Sequence, residues 1–171
     1  MKKLKEKKHE KANESILVVD DDEGIRKVLA EILKEKGYDV DQAETGMEAL
    51  RKTEATYYNL ALIDVRLPDT DGVRLLAKIK ETKPKMRKII ITGYPTLRNA
   101  VEALNKGADG YIMKPLDIEK VFAAIKEQLK KQRGEQKMTE EQLVEYIETR
   151  VKQIKQKSQN ETILPTRPPK Q

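Results

Sequence analysis

Two acidic clusters each close a run of apolar residues: Ile16 to Asp22 reads ILVVDDD, and Leu60 to Gly72 reads LALIDVRLPDTDG. Short aliphatic runs of this kind read as buried strands, and in an open parallel sheet the ligand site lies beyond the strands' carboxyl ends. Asp20, Asp21 and Asp64 would therefore converge at one rim, and carboxylates gathered in this way need a cation. A third apolar run ends in Thr92 (KIIITG) and a fourth in Lys114 (YIMKP), bringing a hydroxyl and an ammonium to the same rim. An acid pair, a third acid, a hydroxyl and a lysine together suit phosphoryl chemistry.

The elements that must position these residues alternate along the chain. Ile16 to Asp20 reads as the first strand. Glu23 to Lys36 reads as a helix with an apolar stripe of Ile25, Val28, Leu29, Ile32 and Leu33, capped by Asp22 at its start and closed by Gly37. Tyr38 to Ala43 is a weaker alternating strand. Thr45 with Glu48 forms a capping box for a helix to about Glu54, and Leu60 to Ile63 is the third strand. Val73, Leu75, Leu76 and Ile79 mark another helix, and Lys88 to Ile91 the fourth strand. Thr96 opens a helix through Leu104 that stops at Gly107. Tyr111 to Met113 is the fifth strand, and Ile118, Val121, Phe122, Ile125 and Leu129 mark the fifth helix. Such alternation predicts an α/β fold, a parallel sheet covered on both faces.

Composition narrows the class. With 171 residues the chain has room for one ordinary domain plus extensions. Its apolar runs fall far short of the roughly 18 residues of a membrane span, and the lysine-rich start is not followed by a hydrophobic stretch. Neither a signal peptide nor a membrane span is expected, and a cytoplasmic location is. The absence of cysteine excludes disulfides and thiolate chemistry, and the single histidine, His9, lies in the N-terminal tail. The net charge is +6, with the basic excess densest before residue 16. Residues 1 to 14 are read as a disordered basic tail rather than a nucleic-acid-binding arm.

In register, the marks VVDDD, D-x-x-x-P-x-x-D-G (Asp64, Pro68, Asp71, Gly72), ITG (Ile91 to Gly93) and G-Y-x-x-K-P (Gly110 to Pro115) resemble the receiver domain of two-component response regulators, of the stand-alone chemotaxis-regulator type. The resemblance covers about residues 15 to 131. It implies a flavodoxin-like, doubly wound five-stranded sheet of order 2-1-3-4-5, an order that the general account of such folds illustrates with this very family. It implies that Asp64 is the phosphoacceptor, in a reaction needing Mg²⁺. Asp21, Asp64 and the backbone carbonyl of Arg66 would bind the ion directly and Asp20 through water. It further implies that Lys114 pairs with Asp64 and then with the phosphoryl group, that Lys114 precedes a cis-proline, and that Thr92 and Tyr111 carry the conformational switch. Arg66 and Tyr94 flank the path of a hydrolytic water and are expected either to lengthen the phosphoryl lifetime or to be ordinary exposed loop residues. The implied partners are a sensor histidine kinase or phosphotransfer protein and a downstream protein target. The chain would be a phosphoacceptor and not an enzyme with a separate catalytic domain.

Beyond residue 131 the resemblance ends. Gly134 is expected to interrupt the fifth helix, and Thr139 with Gln142 to cap an extra one from Met138 to about Lys157. Its Val144, Ile147, Val151 and Ile154 follow a 3, 4, 3 spacing that fits packing onto the receiver, a partner helix or self-association. A dimer could equally use the receiver face. The proline-rich end is read as disordered. Some 40 residues cannot hold a full DNA-binding effector, so a stand-alone regulator is expected. Two other functions stay open: a phosphorylation-independent binding module, and an aspartyl phosphohydrolase. The second is disfavoured because Arg66 occupies the position where such enzymes place an acid/base Asp.

Overall fold

The computed structural model describes residues 13–161. The expectations for the basic tail before residue 13 and for the proline-rich end after residue 161 fall outside the described residues. The chain divides into two compact units, Met1–Lys130 and Lys131–Gln171.

In the first unit, strands β1 (Ser15–Val19), β2 (Asp39–Ala43), β3 (Leu60–Asp64), β4 (Arg87–Thr92) and β5 (Gly110–Met113) form one sheet in the order β2-β1-β3-β4-β5. Every pairing is parallel. Helices α1 (Glu23–Glu35), α2 (Gly46–Ala55), α3 (Gly72–Thr82), α4 (Leu97–Asn105) and the start of α5 (Ile118–Glu161) connect or follow the strands.

Strand alternation splits the core into two layers. Ile16, Val18, Leu60, Leu62, Ile89 and Ile91 face Leu29 and Leu33 of α1 and Val121, Ile125 and Leu129 of α5. Leu17, Val19, Ala61, Ile63 and Ile90 face Ala49 of α2, Leu75, Leu76 and Ile79 of α3, and Ala103 of α4. Because both faces are covered, the central strands carry unbroken apolar runs, whereas edge strand β2 is largely polar and stays partly exposed.

Local signals set the helix boundaries. The Asp22 carboxylate accepts from the Ile25 N–H at 3.0 Å, and the Thr45 and Thr96 hydroxyls accept from the Glu48 and Asn99 N–H groups, each at 3.1 Å. Gly37 and Gly107, at φ 90° and 99°, end α1 and α4 in the left-handed region.

The C-terminal segment departs from expectation. Gly134 does not interrupt the fifth helix, and the residues expected to form an extra helix continue α5. Glycine costs only about 1 kcal/mol in a helix interior, too little to break a helix flanked by good helix formers. Thr139, expected as a cap, lies inside the helix and donates its hydroxyl to the Glu135 carbonyl at 2.9 Å. A methyl at Gly134 would meet nothing within 4 Å. Gly134→Ala should accordingly stabilise this part of the helix by about 0.5–1 kcal/mol, read as higher helicity by circular dichroism at elevated temperature. An unchanged or lower helicity would mean that the helix is interrupted there in solution.

Candidate functional site

The register of the sheet brings the acids together. β1 and β3 pair from Ile16↔Leu60 to Val19↔Ile63, so Asp20, just past the end of β1, stands beside Asp64, the last residue of β3. Asp20 is held from three sides. Its Oδ1 accepts from the Asp22 N–H at 2.9 Å, its carbonyl accepts from the Arg26 guanidinium at 2.7 Å, and its Oδ2 lies 3.1 Å from the Lys114 ammonium. Both Asp20 and Asp64 are buried, while Asp21 faces solvent.

Lys114 reaches the pair from the far edge of the sheet. β5 pairs with β4 up to Thr92↔Met113, and the Lys114 N–H donates to the Thr92 carbonyl at 2.7 Å. The Lys114–Pro115 peptide is cis. From there the ammonium lies 3.3 Å from Asp64 Oδ2, bridging both buried carboxylates.

The electrostatics follow from this crowding. Burial, and then the negative charge of Asp20, push the Asp64 carboxyl above its usual range, against the pull of Lys114 and of a hydrogen bond from the Arg66 backbone. Burial alone would lower the Lys114 ammonium, but its hydrogen bonds and ion pairs with Asp20 and Asp64 outweigh that and raise it. One carboxylate oxygen from each of Asp20, Asp21 and Asp64 lies within 4.8 Å of the others. Three hard anionic oxygens with no nitrogen or sulfur donor among them fit a hard divalent cation and form the acidic triad typical of a receiver Mg²⁺ site.

Thr92 ends β4, is buried, and accepts from the Tyr94 N–H at 3.0 Å. Tyr111 on β5 packs half-buried against the α2–α4 layer. Its hydroxyl is withdrawn from solvent near Thr92 without a well-formed hydrogen bond, and burial raises its pKa. The Arg66 guanidinium stacks 3.5 Å from the centre of the Tyr94 ring. The structure thus unites Asp20, Asp21, Asp64 and Lys114 in one cluster, with Thr92 and Tyr111 along β4 and β5 and Arg66 paired with Tyr94.

Two supporting residues had no signal in the sequence. Arg26, on the buried Asp20 carbonyl, reads as one more charge on α1. Asp69 accepts from the Gly46 and Met47 N–H groups, both at 2.8 Å, and so ties the loop after β3 to the start of α2. Only the fold shows that this loop runs beside α2.

The family profile described as "Response regulator receiver domain" matches residues 16–126. Sporulation initiation phosphotransferase F of Bacillus subtilis (strain 168) is 37% identical over 117 residues, 68% of this chain and 94% of that protein. The transcriptional regulatory protein ZraR of Klebsiella oxytoca is 40% identical over 114 residues, 67% of this chain but 26% of ZraR's length. Among solved structures, a CheY-like receiver domain protein from Methanospirillum hungatei JF-1 superposes with a TM-score of 0.71 at 45% identity, covering 72% of this chain and 99% of that one. A response regulator protein from Burkholderia pseudomallei with a phosphorylated aspartic acid, calcium ion and citrate gives 0.64 at 32% identity, over 72% of this chain and 73% of that one. With the match spanning most of the chain and carrying the acidic cluster and its lysine, this protein belongs to the response regulator receiver domain family.

Proposed function

We propose that this chain takes a phosphoryl group onto Asp64 from the histidine of a sensor kinase or phosphotransfer protein, and passes its state on by protein contact. The observation that carries this reading is the Lys114 ammonium set 3.1 and 3.3 Å from two buried carboxylates beside a third. The likeness to a relative named a phosphotransferase, spanned over 94% of its length, supports a place in a relay. Mg²⁺ would be held by Asp21, Asp64 and the Arg66 carbonyl, and by Asp20 through water, and would neutralise charge between carboxylate and donor. Lys114 supplies a fixed positive charge where the phosphoryl oxygens gather. The Thr92 hydroxyl, at the same rim, turns toward those oxygens, and Tyr111 beside it follows, enriching a conformer already present in the unmodified protein. The target would then read the face of α4 and β5, where Leu97 is 83% and Leu104 57% exposed. A cytoplasmic location goes with this reading, as is typical of receiver domains. Among the described residues no helix is long and apolar enough to cross a membrane.

The test is incubation with acetyl phosphate and Mg²⁺, followed by intact mass. One added phosphoryl group is expected with Mg²⁺ and none with excess EDTA. No gain in either would sink the proposal and leave a phosphorylation-independent binding module as the better reading.

Arg66 and Tyr94 bear on the lifetime of that group. Their stack beside the site shields the approach of water to Asp64, so the Arg66→Asn, Tyr94→Glu variant should lose its phosphoryl group roughly tenfold faster than the parent, about 1.4 kcal/mol in barrier. Equal decay of the isolated phosphoproteins would reduce both residues to ordinary loop positions.

A further inference from the structure

The unit beginning at Lys131 is helical to Glu161 and carries a stripe that nothing within the unit covers. Val144, Ile147 and Val151 are 55%, 51% and 43% exposed, and Ile154 continues their spacing in sequence. Leu143 and Tyr146 are exposed beside the row, and an apolar row of this kind along a helix rich in charge is the usual mark of a surface that another helix covers.

The charges beside the row indicate which helix that is. From Glu140 to Glu148 there are four glutamates and no base, and from Arg150 to Lys157 four bases and no acid. The helix macrodipole does not account for this polarity, because its influence is confined to the end turns and α5 begins at Ile118. Both patterns share one centre. Ile147 and Val151 lie two positions either side of Thr149, Val144 and Ile154 five, and Glu148 and Arg150 one. Reversal about Thr149 exchanges the four stripe residues among themselves, and Glu148 with Arg150 and Glu141 with Lys157.

The flank is equally regular. Glu141, Glu145, Glu148, Lys152 and Lys155 follow one another at spacings of 4, 3, 4 and 3, so they line one side of the stripe. A two-fold axis brings identical surfaces together, so this flank meets its own copy running the other way. Glu141 then faces Lys155 of the second copy and Glu145 its Lys152, two attractive contacts on each side of the axis, while Glu148 at the centre faces its own copy. A parallel pair would instead set Lys155 against the second copy's Arg150 and give the glutamates no base.

We propose that residues 140–157 pair with the same helix of a second copy, antiparallel, about a two-fold axis at Thr149. Within one helix, Glu141 has a 3.9 Å contact to Lys137 and Arg150 a 3.3 Å hydrogen bond to Gln153, both exposed and readily exchanged. With four apolar positions per helix the dimer is weak, concentration-dependent and sensitive to salt. It does not depend on Asp64 or its chemistry.

Sedimentation equilibrium on the full chain should show a reversible monomer–dimer equilibrium, weakened about tenfold between low and high salt. Ile147→Glu, an exposed helical position, should abolish it while the circular dichroism spectrum stays unchanged. Since the chain has no cysteine, introduced thiols report orientation cleanly. Val144→Cys and Ile154→Cys proteins oxidised together should form the mixed disulfide far faster than either forms its own. Monomers at every concentration, a dimer that survives Ile147→Glu, or preferential self-coupling of each cysteine variant would each overturn the proposal.

Discussion

Asp64→Ala should leave the protein folded and take up no phosphoryl group from acetyl phosphate and Mg²⁺, where the parent takes up one. Among the three clustered acids the choice of Asp64 rests on access. Asp20 and Asp64 each hold Lys114 and a backbone N–H, but the Asp20 side chain is 3% exposed against 8% for Asp64. Asp21 is open to solvent and has no ion pair with the lysine. Of the two acids that touch Lys114, Asp64 is the more exposed. The variant should also be no less stable than the parent. Burial and Asp20 raise the Asp64 pKa, so at neutral pH its ionised form opposes folding, and its removal leaves Lys114 paired with Asp20. A folded variant that still gains one phosphoryl group would move the acceptor elsewhere, and Asp20 would be the next residue to replace.

Gly72→Ala should destabilise the receiver by about 3 kcal/mol or more, the upper range for forcing atoms into a packed site. Just after β3 the chain folds back on itself. Arg66 and Asp71 form an antiparallel bridge, and the Gly72 N–H donates to the Val65 carbonyl at 2.7 Å. A methyl at Gly72 would stand 2.1 Å from the Asp64 carbonyl oxygen and 2.9 Å from the Val65 Cα. These are backbone atoms of a central strand and cannot swing aside as a side chain can. Relief of the clash would push out the end of β3, so the variant should lose phosphoryl uptake together with stability. Denaturant titration measures the first effect, and a loss below about 1 kcal/mol would mean that the loop opens easily.

Much of this could be read along the chain. Glycine at position 72 and the acids at strand ends belong to motifs whose order identified the receiver before any geometry was known. Helix starts at Asp22, Thr45 and Thr96 were legible because a cap is a contact over three residues. Gly134 looks like a stop signal in isolation, but the propensities of the residues around it carry the helix through. The pairing of Arg66 with Tyr94 leaves no trace in the sequence, although each stands two residues past a motif residue, Asp64 or Thr92.

Lys88 shows the limit of local reading. In sequence it is only the charged residue that opens the apolar run of the fourth strand. In the fold it is buried, with its ammonium on the Met86 carbonyl and 3.4 Å from the Lys83 carbonyl, and burial lowers its pKa. By itself the sequence determined the element order, the two-sided burial of the central strands and the identity of the acids and lysine, because periodicity, caps and short motifs are local. Only the tertiary structure decided how those groups combine: the bridge of Lys114 across Asp20 and Asp64, the hold of Arg26 on Asp20, and the seat of Asp69 on α2. Each joins residues through strand register and helix packing, and such contacts leave no periodic trace in the chain that makes them.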